Sequence, residues 1–172
     1  MGTHAFLGIR YAEPPVGEHR PGAGPARPWP GIRDAAEYGP TAPRPRQDFT
    51  LIPEPVVPGD DFLNLNLFTP DLGSANLPVL VWIHGGSFFS GCNRSPGYRG
   101  ESFARGAVLV SVNYRLGAEG SWTSTGKSVR QRCRDRQDGL GGHLSRSRAG
   151  RGGPGRQLYY HRLARPVHEY VL

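Results

Sequence analysis

The chain has 172 residues and a mass of 18.8 kDa, enough for one domain with a sizeable core. Its net charge of +7 is uneven, because residues 121–172 carry eleven Lys or Arg against three Asp or Glu, whereas residues 1–120 carry ten against eleven. No apolar run approaches the roughly 18 residues of a membrane span, and Cys92 and Cys133 are too far apart to suggest a disulfide framework or a metal motif. With no apolar export signal at the N-terminus, these features favour a cytoplasmic protein.

Short extended runs separated by a long irregular stretch dominate the first half of the chain. Residues 4–10 predict a strand, which Pro14 and Pro15 end. Residues 11–60 hold 12 of the 17 prolines and predict a long irregular excursion. The alternation in NLNLF, residues 64–68, predicts a half-buried strand.

Two continuous apolar runs follow, PVLVWI at 78–83 and GAVLVSVNY at 106–114. Both are typical of strands buried on both faces of a largely parallel sheet covered by helices, and YRGESFARG between them predicts a short helix. The fold class is therefore α/β. The side chains predicted to be buried are Leu80, Trp82, Val108, Val110 and Val112.

Residues 121–172 differ from the rest. They contain no Ile, Phe or Met, only eight Leu or Val, and no periodicity that fits a helix or a strand. Such a composition cannot bury a core. The sequence thus predicts a folded segment at 1–120 and a basic, Arg- and Gly-rich, disordered tail at 121–172.

Five stretches of the first segment resemble the type-B carboxylesterase family, which includes cholinesterase-like proteins and has the α/β-hydrolase fold. They are FLGIRYAEPPVGEHR, WPGIRDAAEYGPTAP, DDFLNLNLFTP, LPVLVWIHGGSFFSG and SVNYRLGA, in the family's order and spacing. The resemblance covers residues 5–120 and implies an incomplete α/β-hydrolase fold, with the early strands and the oxyanion loop. It implies a small-molecule carboxylic ester as substrate class, and neither cofactor nor metal.

The stretch His84-Gly85-Gly86-Ser87 resembles the family's oxyanion loop, with Ser87 where the family often has a third glycine. By this resemblance the oxyanion hole comprises Gly85, Gly86 and Ser87, and the amides of Gly86 and Ser87 are the donors. Glycine permits the backbone angles and the close approach that such a site needs. The alternative interpretation is a tight turn that only ends the strand.

Three further positions follow from the resemblance. Arg20 and Asp60 resemble a buried ion pair that braces the long loop, although two solvated charges remain an equal alternative. Ala42 and Phe62 stand where the family has an early disulfide, so both cysteines are replaced together, which favours an intracellular relative. Arg10 stands where the family usually has proline.

The nucleophile of a serine esterase has no counterpart in these residues. Gly100-Glu101-Ser102 begins like the nucleophile elbow Gly-x-Ser-x-Gly, but the fifth residue is Ala104 and no strand precedes it. No complete Gly-x-Ser-x-Gly occurs, and His143, His161 and His168 lie in the tail without a partner motif. A serine hydrolase without serine, acid and base cannot transfer an acyl group.

The tail has two interpretations, an evolved basic extension or translation of GC-rich DNA in the wrong frame. Back-translation of GGPGRQLYYHRL, read one base later, can give Gly-Asp-Pro-Ala-Gly-Asn-Phe-Thr-Ile-Thr-Gly, which resembles the family just before its elbow. We favour the out-of-frame interpretation. Nucleic-acid binding is disfavoured, since Tyr159 and Tyr160 are the only close aromatic pair among the arginines.

The sequence therefore predicts a fragment-like, inactive member of an ester hydrolase family. A noncatalytic esterase-like binding module and a nucleic-acid binder with a basic tail are the alternatives. Because the strand that leads to the nucleophile lies in mid-sheet, its absence predicts an unpaired edge at the strand 107–112. Exposed apolar edges aggregate, so we expect the isolated chain to be insoluble or molten.

Overall fold

The computed structural model describes residues 2–20, 22–45, 53–121, 148–149 and 158–162, with six strands and two short helices. The strands are β1 (His4–Arg10), β2 (Asn64–Thr69), β3 (Pro78–Ile83), β4 (Val108–Val112), β5 (Arg148–Ala149) and β6 (Leu158–Arg162). The helices are α1 (Gly100–Phe103) and α2 (Gly117–Ser121), and single 3-10 turns lie at Gly17–His19 and Pro96–Tyr98. The strands and the short helix predicted before residue 120 are confirmed, as is the irregular path of the described residues between β1 and β2.

All six strands form one mixed sheet in the order β1-β2-β4-β3-β6-β5. Strand β2 pairs antiparallel with β1 and β4, while β3 pairs in parallel with β4, so that Val79 lies opposite Val108 and Ile83 opposite Val112. The expected largely parallel sheet is wrong for the described strands, among which only β3 and β4 are parallel. A continuous apolar run indicates burial on both faces and not strand direction. The carboxyl ends of β3 and β4 therefore share one edge.

The core lies on both sides of β4. All five residues of β4 are buried, which confirms the prediction for Val108, Val110 and Val112. One face packs Val79 and Val81 of β3 against them. Branched side chains of this kind fit a pleated surface, and the burial of each one stabilises the fold by about 1.5 to 3 kcal/mol.

The other face of β3 is only half-buried, so the predicted burial of Leu80 and Trp82 is wrong. A short segment covers this face: the Trp82 ring lies 5.0 Å from that of Tyr98 and 6.5 Å from that of Phe103 in α1. Phe103 is itself 51% exposed. A four-residue helix cannot shield a whole strand face, which explains the exposure.

The edge predicted to be unpaired is paired on both sides. Strand β4 lies between β2 and β3, and β6 pairs antiparallel with β3, with Leu80 opposite Tyr160. The premise of the aggregation prediction is therefore wrong, because β4 has a neighbouring strand on each side. Solubility itself stays a prediction.

Strands β5 and β6 also correct the expectation that the tail fits no strand. The signal was the short LYYHR run, because tyrosine favours strands. The remaining tail residues, on which the predictions of disorder and of a changed reading frame depend, lie outside the described residues. In the part of the chain that the structure describes, no helix is long and apolar enough to cross a membrane.

Candidate active-site loop

The Gly-rich loop, residues 84–91, begins directly after β3. Because β3 and β4 are parallel, the loop and the segment after β4 emerge at the same edge of the sheet. In open α/β sheets, ligands bind outside the carboxyl ends of strands. The loop therefore lies where a substrate would be expected.

The backbone of the loop is folded into a tight turn. The Gly86 carbonyl accepts hydrogen bonds from the amides of Phe89 (2.9 Å) and Ser90 (3.0 Å). Gly86 has φ +113°, and a Cβ there would lie 2.2 Å from the Ser90 carbonyl oxygen, so only glycine fits. Ser87 (φ +52°) and Phe88 (φ +66°) follow in the left-handed region, which glycine adopts more readily than serine or phenylalanine. Such backbone strain clusters at functional sites.

The turn leaves its amides available to a ligand. Among the described residues, neither the Gly86 amide nor the Ser87 amide donates a hydrogen bond, and Ser87 is exposed. A Cβ at Gly85 would meet nothing within 4 Å, so the space beside it is open. The structure thus brings together the three residues predicted from the sequence, with two free donors next to an open approach.

The segment after β4, residues 113–117, packs against the Gly-rich loop and hydrogen-bonds to it. His84 is 2% exposed, and its ring stacks on that of Tyr114 at 4.3 Å and 14°. The Tyr114 hydroxyl donates to the His84 carbonyl (2.7 Å), and the Gly117 amide donates to the Phe88 carbonyl (2.7 Å). These bonds fasten both the entry and the middle of the loop to the neighbouring strand's continuation.

A buried asparagine network joins this region to β2, and sequence reasoning missed it. Asn64, Asn66, Asn93 and Asn113 are each at most 4% exposed. Asn113 Oδ1 accepts from the Asn93 amide (2.7 Å), while Asn93 Nδ2 donates to Asn64 Oδ1 (3.1 Å). Asparagine inside NLNLF and SVNY, where apolar residues dominate, was the available signal, since buried amides require partners.

The predicted ion pair is not formed. Arg20 Nη2 instead lies 3.4 Å from Glu119 Oε1, and its side chain is 70% exposed. Among the described ion pairs, none includes Asp60. The neighbouring carboxylate, Asp61, pairs instead with Arg10, whose Nε donates to Asp61 Oδ2 at 2.7 Å. Asp60 lies in an exposed bend, so the interpretation of Arg20 and Asp60 as a brace is wrong.

Two other positions have clear outcomes. Ser102 lies exposed in α1, where its amide donates to the Arg99 carbonyl (3.3 Å), and not on a turn between a strand and a helix. No described histidine hydrogen-bonds to its side chain. Ala42 and Phe62 are 4% and 2% exposed and belong to one apolar cluster. Apolar packing thus occupies the site where the resemblance places a disulfide.

The structure describes one of the three tail histidines. His143 and His168 lie outside the described residues, and His161 is part of β6. Within the described ranges, no group of three or more His, Cys, Asp or Glu residues could hold a metal ion.

Comparison with known proteins identifies relatives of this chain. The model of the carboxylesterase family matches residues 2–131. Phenmedipham hydrolase of Pseudarthrobacter oxydans is 43% identical over 136 residues, covering 69% of this chain and 26% of that protein. Para-nitrobenzyl esterase of Bacillus subtilis strain 168 is 43% identical over 126 residues, covering 69% and 25%. The chain thus spans about a quarter of the length of these curated relatives.

Solved structures agree with the family match. A thermophilic PNB esterase superposes with a TM-score of 0.70 at 37% identity, covering 81% of this chain and 30% of that one. A Geobacillus stearothermophilus carboxylesterase superposes with a TM-score of 0.60 at 38% identity, covering 69% and 24%. The prediction of an incomplete α/β-hydrolase fold is confirmed, and the chain belongs to the carboxylesterase family.

Proposed function

We propose that this chain carries the oxyanion-stabilising part of a carboxylic-ester hydrolase that works through an acyl-enzyme, with small-molecule carboxylic esters as substrates. The observation that supports it is the pair of free amides, Gly86 and Ser87, held by a strained turn at the carboxyl edge of β3. When a nucleophile attacks an ester carbonyl, the oxygen becomes negative, and fixed N–H donors stabilise that charge. Gly85 keeps the approach to these donors open.

By itself the chain is proposed to be inactive. Its 172 residues contain no Gly-x-Ser-x-Gly sequence, and Ser102 has neither an elbow geometry nor a hydrogen bond to a described histidine. Without a nucleophile no bond forms to the ester carbonyl, so no oxyanion develops for the donors to stabilise. A cytoplasmic location is part of the same proposal, supported by the apolar packing of Ala42 and Phe62. Fractionation of cells that express a tagged chain tests it, and recovery outside the cytoplasm contradicts it.

A chimera tests the role of the loop. Residues 2–117 replace the matching segment of the Bacillus subtilis para-nitrobenzyl esterase, and hydrolysis of p-nitrophenyl esters is followed. The test variant is Gly86→Ala, whose Cβ would collide with the Ser90 carbonyl and displace the donors. The control is Gly106→Ala, because Gly106 also has a positive φ (+98°) but open space around it.

We expect Gly86→Ala to lower kcat by about 10²- to 10³-fold with little change in KM, as for loss of one oxyanion donor. Gly106→Ala adds backbone strain outside the Gly-rich loop, so it should lower stability but leave the kcat of the folded chimera within about threefold. The proposal is contradicted if the folded chimera is inactive, or if Gly86→Ala leaves its kcat unchanged.

A further inference from the structure

A largely buried ion pair outside the Gly-rich loop holds the loop's last residue. Arg44 Nη1 lies 3.2 Å from Glu54 Oε2, and the two side chains are only 7% and 17% exposed. The same atoms reach the Gly91 peptide: Glu54 Oε2 accepts from the Gly91 amide (2.8 Å), and Arg44 Nη1 donates to the Gly91 carbonyl (2.9 Å). A charged group thus holds each side of a single residue. Charge-assisted bonds of this kind are about twice as strong as neutral ones.

Gly91 in turn packs against the beginning of the loop. It has φ +98°, and a Cβ there would lie 2.1 Å from His84 Nδ1 and 2.5 Å from the Gly85 carbonyl oxygen. The Gly91 backbone therefore lies close against His84 and Gly85, and close-packed groups transmit displacement. Fixing Gly91 therefore fixes the turn between it and His84, which contains Gly86 and Ser87.

The segment that carries Glu54 is itself fastened to the residues after the loop. Ser95 Oγ donates to the Pro53 carbonyl (3.1 Å), and Cys92 Sγ donates to that of Pro55 (3.7 Å). Arg44 Nη2 donates to the carbonyls of Glu54 and, at 3.3 Å, Pro55. The ion pair is therefore anchored and not a mobile surface contact, which would contribute little.

We propose that Arg44 and Glu54 are positioning residues that hold the Gly86 and Ser87 amides in a geometry fit for an oxyanion. This inference rests on the proposed function for the meaning of that geometry, but the positioning itself is measurable without turnover. Removing either charge weakens one of the two charge-assisted bonds to Gly91, so the effect should be concentrated at the loop.

The test uses the full chain, labelled with ¹⁵N and fused to a small solubilising carrier if the free chain aggregates, and measures backbone order parameters and amide hydrogen exchange by NMR. The variants are Glu54→Gln, which keeps an acceptor but removes the negative charge, Arg44→Met, which removes the donors and the positive charge, and Arg44→Lys, which keeps the positive charge. Glu13→Gln is the matched control, because Glu13 also pairs with an arginine, Arg27, and also accepts a backbone amide, but the side chain of Arg27 is 88% exposed.

We expect Glu54→Gln to speed exchange at Gly91 about tenfold, as a charge-assisted bond becomes a neutral one. In Glu54→Gln and Arg44→Met the order parameters of Gly86 and Ser87 should fall from about 0.85 to below 0.6. Arg44→Lys should restore part of the order, and Glu13→Gln should change nothing in the loop.

Each outcome decides the inference. If Gly91 loosens while Gly86 and Ser87 stay ordered, the pair holds only Gly91 and the inference is wrong. If Arg44→Met loses the dispersed amide signals of β4, the isosteric Glu54→Gln decides, and its global unfolding also overturns the inference, because the pair would then stabilise the fold and not the loop. Failure of the proposed function would appear separately, as a chimera insensitive to Gly86→Ala.

Discussion

Replacing Asn113 with aspartate should strongly destabilise the fold, because Asn113 is the centre of the buried polar network. The side chain is 1% exposed, accepts from the Asn93 amide (2.7 Å), and donates through Nδ2 to the Pro40 carbonyl (3.1 Å) and Asn64 Oδ1 (3.3 Å). Asn113→Asp keeps the shape and the acceptor but turns the NH₂ group into an oxygen. That oxygen faces two acceptors.

The magnitude follows from the bonds that remain. Pro40 and Asn64 keep second donors, at 2.8 Å and 3.1 Å, so neither oxygen is left entirely without a partner. Each lost bond then costs near the lower end of about 1 to 3 kcal/mol. A buried carboxylate with one remaining donor adds a desolvation penalty, which brings the total to about 3 to 5 kcal/mol. A typical domain has only about 5 to 15 kcal/mol of stability.

The assay is urea unfolding followed by tryptophan fluorescence and near-UV circular dichroism, with the chain fused to a solubilising carrier if the free chain aggregates. Asn76→Asp is the control: the same chemical change at an exposed residue, expected to cost within about 0.5 kcal/mol. Burial raises the pKa of the introduced carboxyl in the folded state, so the penalty exists above the unfolded-state pKa and shrinks as pH falls through the folded-state pKa. A loss equal to that of Asn76→Asp, or one independent of pH, would refute the reasoning.

Three further outcomes are expected. The purified chain should hydrolyse p-nitrophenyl esters no faster than its Ser102→Ala variant, and saturable hydrolysis that this substitution abolishes would show that Ser102 is a nucleophile. The hydroxyl of Ser74, with the Gly73 amide, lowers the pKa of Asp71, so the pKa of Asp71 measured by NMR titration should be higher in Ser74→Ala. The stabilisation linked to this lowered pKa is present above the unfolded-state pKa of Asp71 and is lost as pH falls through its folded-state pKa. Deleting residues 122–172 removes β6 and exposes the edge of β3, so light scattering should detect aggregation at lower concentration than for the full chain, and equal behaviour would show that β6 does not protect that edge.

The strands were predictable because their signals are local. PVLVWI and GAVLVSV begin with proline or glycine and are rich in branched apolar residues, and the structure has strands at Pro78–Ile83 and Val108–Val112. The position of the Gly-rich loop followed from the glycines after the first run. Strand direction and the half-exposed face of Trp82 did not, because they depend on which element packs against each face, and no local pattern records that.

Polar partners were the least predictable feature. Arg10 and Asp61 are 51 residues apart in sequence, and Asp60 and Asp61 offer the same chemistry to any arginine that comes near. Only the pairing of β1 with β2 decides which of the two carboxylates meets Arg10. The grip of Arg44 and Glu54 on Gly91 was missed for the same reason, since irregular segments carry no periodicity from which a contact could be inferred.

Loop geometry and catalytic capacity are separable in this chain. The described contacts that shape the Gly-rich loop come from Arg44, Glu54, Tyr114 and Gly117, all within residues 40–117. The described contacts that accompany the positive φ of Ser87 and Phe88 therefore include no nucleophile. An inactive chain would consequently not count against the loop's role, because turnover needs a serine, an acid and a base in addition to the donors. Only a measurement that supplies those groups, as the chimera does, or one that follows the amides directly can test what the loop is built to do.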